Sequence, residues 1–153
     1  MSKKTGRDIV HRWEGNPIIA LEDLSIRVSD IHNAGVARMN GNLMMLLNVE
    51  SMRGNNLFYR ARSEDCINFT VDSHPFMQPP ETGPRARYET FGIRDPRITP
   101  LDNKYYITYL ADSEYGLRLS LATTTDWESV KFLGSVSQKK KKNGALFPCK
   151  FDG

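Results

Sequence analysis

Residues 34–49 read AGVARMNGNLMMLLNV, which is a short strand-like stretch, an Asn-Gly turn and an apolar run. Residues 95–110 read DPRITPLDNKYYITYL and have the same layout, with Asp102-Asn103 in place of the turn. Asn, Asp and Gly favour the tight turns that join antiparallel strands, and the apolar runs are too short for helices. Each stretch therefore predicts a β-hairpin.

The two hairpins belong to a repeat that extends further along the chain. A spacing of 61 residues separates Asn42 from Asn103 and also Ala61 from Ala122, and a third copy of the first strand begins at Asn143. The one candidate helix is a short segment at residues 21–24. A four-stranded unit repeated at this length is typical of β-propeller blades. We therefore predict an all-β fold, a partial propeller of about two blades and the first strand of a third.

The blade boundaries follow from the repeat: an N-terminal segment at residues 1–30, a first blade at 31–80, a second blade at 81–138 and the start of a third at 139–153. Because a blade buries its faces against neighbouring blades, a stable ring needs several of them. We expect the chain to be the N-terminal part of a longer propeller. The alternative is a small, complete all-β domain whose hairpins share only a general pattern.

Composition and charge narrow the function classes. The 153 residues contain 21 Lys and Arg against 18 Asp and Glu, and four of the lysines form one block at residues 139–142. The net charge of +3 is therefore a local feature and gives little support to nucleic-acid binding. No apolar run approaches the roughly 18–20 residues that span a bilayer, and no secretory signal is present. These features predict a cytoplasmic protein without membrane or nucleic-acid partners.

Cysteine and histidine spacing bears on metal binding. The two cysteines and three histidines show no metal-ligand spacing, which predicts that there is no metal site. His32 precedes the first inner strand, and for this residue a hydrogen-bonded structural role is favoured over a ligand role.

In a propeller, the innermost strand of each blade starts at the mouth of the central channel, where ligands bind. The three starts read HNAG at residues 32–35, RDPR at 94–97 and KNGA at 142–145. Each has a polar residue directly before an apolar strand. Polar side chains repeated at one structural position predict a shared pocket at the mouth.

Asp95 is the strongest single candidate for chemistry. Arg94 and Arg97 flank it and favour the ionised carboxylate, and Pro96 biases Asp95 towards extended geometry. A turn-capping aspartate paired with an arginine explains the same residues equally well.

A second candidate follows the first apolar strand. Glu50 and Arg53 there are suited to binding sugar hydroxyls or phosphate, and a solvated surface pair is the alternative.

A series of short motifs resembles glycoside hydrolase family 130, the β-mannoside phosphorylases and related β-mannosidases. Their order and spacing along nearly the whole chain carry the resemblance. The motifs are EGNPI at residues 14–18, NAGV at 33–36, RG at 53–54, ARSED at 61–65, GIRDPRIT at 92–99 and NGALFP at 143–148.

The resemblance implies a five-bladed propeller that cleaves terminal β-mannosides with inorganic phosphate, giving α-mannose 1-phosphate with inversion and a shortened acceptor sugar. It implies no cofactor, since phosphate is a co-substrate. Asp95 matches the family's general acid, which acts through a sugar hydroxyl. Lys142 and Asn143 match phosphate-binding positions. The substrate-binding set expected here is Asn33, which matches a mannose-binding asparagine, with Glu50, Arg53 and Arg97.

The chain departs from the family pattern at several positions. Asn48 stands where an arginine is usual, Arg94 where a glutamate is common, Cys66 where a turn glycine is usual and Cys149 where a glutamate is usual. The family's later-blade residues have no counterpart, so we expect these 153 residues alone to be inactive. Two alternatives stay open: a β-mannosidase that uses water, and a non-catalytic carbohydrate-binding remnant. Homo-oligomerisation of the full-length protein is also left open.

Overall fold

The computed structural model describes residues 12–137 and 143–151. Its helical structure there is limited to two short 3-10 turns, at Leu21–Asp23 and Ala86–Tyr88, so the described chain offers no helix able to cross a membrane. The prediction of an all-β fold is confirmed. The strands are β1 (Val28–Met39), β2 (Asn42–Ser51), β3 (Asn56–Ser63), β4 (Thr70–Val71), β5 (Gly92–Leu101), β6 (Lys104–Asp112), β7 (Arg118–Thr124) and β8 (Lys131–Ser135).

The eight strands form two antiparallel units, β1–β4 and β5–β8, in which neighbours in sequence pair in the sheet. The first unit starts at Val28, slightly before the predicted blade boundary at residue 31. One parallel pairing, Asn56 with Gly92, joins the units. Gly92 has a φ of 112°, and a Cβ there would collide with the Asn56 backbone. Glycine is therefore required where the units meet.

Both predicted hairpins are present. Their turn residues have left-handed backbone, with φ of 50° and 86° at Asn40-Gly41 and of 50° and 57° at Asp102-Asn103. Glycine, asparagine and aspartate tolerate this conformation best. Asn42 is the first paired residue of β2, whereas Asn103 still lies in its turn. The equivalent turns are thus 62 residues apart, one more than the predicted 61.

The side chains on the two faces of β2 belong to two different hydrophobic clusters. Met44 and Leu46 point into a cluster between the units, and Met45, Leu47 and Val49 point into a cluster on the opposite face of the first unit. A strand buried on both faces is a continuous apolar run without alternation. The cluster between the units also contains Ala37, Phe58, Met77, Ile93, Ile107, Tyr109, Ala111, Ala122 and Trp127.

A matching turn follows the third strand of each unit. Asp65 and Asp126 each accept the backbone N–H groups of the residues two and three positions further on, at 2.7–3.0 Å. The residue after each aspartate, Cys66 or Trp127, has a positive φ, 65° or 59°. Cys66 thus occupies a conformation that favours glycine. The repeat therefore extends to the hydrogen bonding of its turns.

These turns predict an acid-dependent loss of stability. Backbone N–H groups, that of Ser129 foremost, lower the pKa of Asp126 to about 2, and similar bonds hold the pKa of Asp65 well below its usual range. A carboxyl with a lowered folded pKa stabilises the fold above its unfolded pKa, about 4, and this stabilisation is lost as the pH falls towards the folded pKa. Between about pH 5 and about pH 2, the urea midpoint should therefore fall more steeply for the parent chain than for Asp126→Asn. Equal slopes would contradict the assignment.

Residues 143–151 lie against the second unit without forming a strand. The carbonyl oxygen of Gly144 accepts Thr108 Oγ1 at 2.7 Å, and that of Leu146 accepts Thr99 Oγ1 at 3.2 Å. The segment predicted to start a third blade is therefore held by hydroxyl groups of β5 and β6.

Candidate active site

Strands β1 and β5 approach each other near their starts, and each has an irregularity there. The β1–β2 register shifts between His32 and Ala34, and the β5–β6 register shifts between Arg94 and Arg97. Such bulges change the direction of a side chain and are common next to active sites. The first contains Asn33, and the second contains Asp95.

A cleft of about 420 Å³ lies between the two bulges, lined by residues 33–36, residues 95–98 and Ala145. Gly35 allows the two strands to come this close, because a Cβ on it would lie 2.7 Å from the carbonyl oxygen of Pro96. The predicted meeting of the first two inner-strand starts is therefore present, and the third contributes Ala145.

A larger hollow, of about 560 Å³, lies beside Arg62 and Asp65. The Asp65 carboxylate there is already engaged by the N–H groups of its own turn. The Asp65 carboxylate is therefore less available for a reaction than the Asp95 carboxyl group in the cleft.

Asn33 and Asp95 are in direct contact: Nδ2 of Asn33 donates to Oδ1 of Asp95 at 2.5 Å. Asn33 is exposed and Asp95 is half-buried, so the pair faces the open cleft. The φ of Asp95 is 52°, and the prediction that Pro96 would bias it towards extended geometry is wrong. Aspartate is one of the few side chains that tolerate left-handed backbone, and here the bulge imposes it.

The flanking arginines do not neutralise Asp95. Arg94 Nε lies 3.1 Å from Oδ2 of Asp112, and within residues 12–137 and 143–151 Asp95 makes no ion pair. Arg97 is exposed and lines the cleft. The alternative of a structural aspartate–arginine pair is therefore not what these residues form.

Glu50 is held by two side chains from the start of β1. Its Oε2 lies 3.5 Å from Nε2 of His32, and its Oε1 accepts Ser29 Oγ at 3.3 Å. His32 Nδ1 is also 3.7 Å from Asp30 Oδ2. His32 thus lies within 4 Å of two carboxylates, and its hydrogen-bonded structural role stays a prediction. Ser29 was missed, because a serine at a strand start carries no distinguishing signal.

Two other predicted site residues, Arg53 and Asn143, do not line the cleft. Arg53 is exposed in the turn after β2, where its backbone N–H donates to Ser51 Oγ at 3.3 Å. Asn143 is exposed, with a φ of 59° that resembles the 52° of Asp95. Lys142 lies outside the described residues. The structure therefore brings together Asn33, Asp95 and Arg97 from the predicted set.

Asn48, at the position of the missing arginine, is buried and donates through Nδ2 to Oδ1 of Asn56 at 2.9 Å. The other two polar atoms of this pair, Oδ1 of Asn48 and Nδ2 of Asn56, are buried without a partner in the described chain. Asn48 lies opposite His32 in the β1–β2 pairing. A neutral amide pair therefore stands close to the first bulge.

Comparison with known proteins points to one family. The family model described as β-1,4-mannooligosaccharide phosphorylase matches residues 3–153. Among characterised relatives, a β-1,2-mannobiose phosphorylase of Listeria innocua is 37% identical over 93 residues, covering 61% of this chain and 25% of the relative. A β-1,4-mannooligosaccharide phosphorylase of Ruminococcus albus is 22% identical over 151 residues, covering 96% of this chain and 45% of the relative.

Comparison with solved structures points to the same family. The β-1,2-mannobiose phosphorylase from Listeria innocua, solved with β-1,2-mannobiose, superposes with a TM-score of 0.82 at 26% identity. The superposition covers 93% of this chain and 55% of that one. The chain thus spans between a quarter and about half of the length of these relatives.

Proposed function

The chain belongs to glycoside hydrolase family 130, and we propose that its cleft forms part of the active site of a β-mannoside phosphorylase. The observation that carries the proposal is the contact between Asn33 and Asp95 across two strand starts that also line an open cleft. A half-buried carboxyl group that faces a cleft and makes no ion pair in the described chain is suited to proton transfer.

In this reaction an oxygen of inorganic phosphate attacks the anomeric carbon of the terminal mannosyl unit. The bond from that carbon to the glycosidic oxygen breaks, and its electron pair stays on the departing oxygen. That oxygen receives the proton that Asp95 gives up, through a sugar hydroxyl. Because phosphate is already a nucleophile, the second carboxylate that activates water in inverting hydrolases is not needed.

The other predicted site residues have supporting roles in the proposal. Asn33 and Arg97 line the cleft and would contact the mannosyl unit, with Glu50 and Arg53 further out on the first unit. Lys142 and Asn143 would hold the phosphate, whose charge needs cationic and amide donors. The bound sugar and phosphate are the only partners the reaction requires.

We also propose that the two units are blades of a five-bladed propeller in the protein containing this chain. The support is the repeated four-stranded antiparallel unit and the match of this chain to part of longer relatives. In that architecture, residues from later blades would complete the phosphate site.

A β-mannosidase is the second candidate, and a specific feature favours it. Asn48 provides a neutral, buried amide where the family usually provides an arginine. One cation fewer near the cleft weakens phosphate binding more than it weakens sugar binding. Water would then replace phosphate as the nucleophile.

Phosphate dependence separates these candidates. The protein containing this chain is expected to release α-mannose 1-phosphate from β-1,2- or β-1,4-mannobiose only when inorganic phosphate is supplied, as followed by ³¹P NMR. Release of free mannose at the same rate with and without phosphate would replace the phosphorylase by the hydrolase. Calorimetric sugar binding without either product would leave a carbohydrate-binding module.

A further inference from the structure

We propose that Asn33 is a positioning residue for Asp95: its amide occupies Oδ1 and thereby makes Oδ2 the oxygen that carries the transferable proton. The inference rests on the proposed function, because it concerns the proton that Asp95 supplies there. It assigns to Asn33 a role in addition to the sugar contact implied by the family resemblance.

The hydrogen bond fixes which atoms face each other. Nδ2 of Asn33 donates to Oδ1 of Asp95, and a carboxyl oxygen that carries no proton can only accept, so the N–H side of the amide faces Asp95. Nδ2 of Asn33 lies 2.5 Å from Oδ1 of Asp95, so the two groups are in direct contact. With Oδ1 engaged, a proton taken up by Asp95 resides on Oδ2.

The backbone holds this geometry from both sides. Asn33 lies in the bulge of β1 and Asp95 in that of β5, where its φ is 52°. The close approach of Gly35 to the Pro96 carbonyl fixes the spacing of the two strands. The contact therefore joins two rigid strands, and a displacement of about 1 Å at such a site can cost about 100-fold in rate.

The Asn33 amide has capacity for a ligand as well. Its Nδ2 carries two hydrogens, of which one is directed at Asp95, and its Oδ1 accepts no hydrogen bond from residues 12–137 or 143–151. A mannosyl hydroxyl that binds the remaining groups would therefore be held at a defined position relative to the acid.

With Oδ2 as the donor, every proton in one turnover is accounted for. Oδ2–H breaks as the sugar hydroxyl takes this proton and passes its own to the glycosidic oxygen, and Asp95 is left ionised with Oδ1 still accepting from Asn33. Hydrogen phosphate keeps its own proton during attack. The product phosphate then returns one proton through solvent to Oδ2 for the next turnover.

Solution NMR tests the hydrogen bond without requiring activity. In the ¹⁵N-labelled chain, the side-chain amide resonances of Asn33 are expected to shift between neutral and acidic pH. In Asp95→Asn this shift should disappear. The exposed amide of Asn55 serves as the internal reference in both proteins. An Asn33 amide that does not respond to Asp95 would overturn the proposal.

Kinetics test whether the hydrogen bond is used. In the protein containing this chain, Asn33→Ala is expected to lower kcat on mannobiose about 100-fold, while the lost sugar contact raises KM by a similar factor on every mannoside. On an aryl β-mannoside with a nitrophenolate leaving group, which needs little protonation, kcat should fall less than about fivefold. Asn55→Ala should match the parent on both substrates.

Equal losses of kcat on both substrates, or an effect on KM alone, would mean that Asn33 acts only on the sugar and would overturn the inference. A different result would show that the proposed function itself is wrong. In that case Asp95→Asn would leave phosphorolysis unchanged, whatever the amide resonances of Asn33 show.

Discussion

Replacement of Asp95 by asparagine is expected to reduce mannobiose phosphorolysis by about 10²- to 10⁴-fold, the range typical of a lost general acid. Asparagine has the same shape but no acidic proton. It also tolerates the φ of 52° at this position, and its Oδ1 can still accept from Asn33. The loss should therefore appear in kcat, measured by mannose 1-phosphate release, with an unchanged circular dichroism spectrum and unfolding midpoint.

Asp102→Asn is the matched control for this substitution. Asp102 also has a positive φ, of 50°, and belongs to the same hairpin, but it lies in the turn at the far end of β5, where it pairs with Lys150. Its turnover should stay within about twofold of the parent, because it does not touch the reacting groups. Full activity in Asp95→Asn would remove Asp95 from the acid role.

The hairpins could be predicted because they depend on local chemistry. Asn40-Gly41 and Asp102-Asn103 are residue types that accept positive φ, and the strands beside them have clear apolar patterns. The same local reasoning failed at Asp95, where the preference imposed by Pro96 was outweighed by the register shift between Arg94 and Arg97. A bulge is a property of the pairing of two strands, so one strand's sequence does not reveal it.

The candidate site could be predicted in part for a related reason. The alignment of the two repeats placed Asn33 and Asp95 at equivalent strand starts. Their contact, however, depends on how closely the two units pack. That distance is set by Gly35 against the Pro96 carbonyl, a steric condition between residues far apart in sequence. The hold of Ser29 and His32 on Glu50 likewise follows from the β1–β2 register.

Arg60 is the feature that sequence reasoning missed most completely. In the pattern of β3 it is an ordinary polar position, yet its side chain is only 11% exposed. Its Nε lies 2.7 Å from Asp72 Oδ2, and its Nη1 lies 2.8 Å from Glu128 Oε1 and also donates to the carbonyl oxygen of Trp127. Arg60 and Asp72 belong to the first unit, and Trp127 and Glu128 belong to the second. One guanidinium therefore ties the two units together beside their shared core.

Arg60→Met is expected to lower the free energy of unfolding by about 2–4 kcal/mol, because it leaves the Asp72 carboxylate and the Trp127 carbonyl without their donor. This loss is smaller than for a fully buried pair, since Glu128 is 70% exposed and can return to water.

Arg62→Met is the matched control. Arg62 lies on the same strand but is exposed, so its effect on the free energy of unfolding should stay within about 0.5 kcal/mol. Urea unfolding followed by fluorescence of the buried Trp127 measures both variants. Adding Asp72→Asn to Arg60→Met should recover part of the loss, because the unpaired carboxylate is then removed. Equal stability of Arg60→Met and Arg62→Met would mean that the guanidinium does not hold the units together.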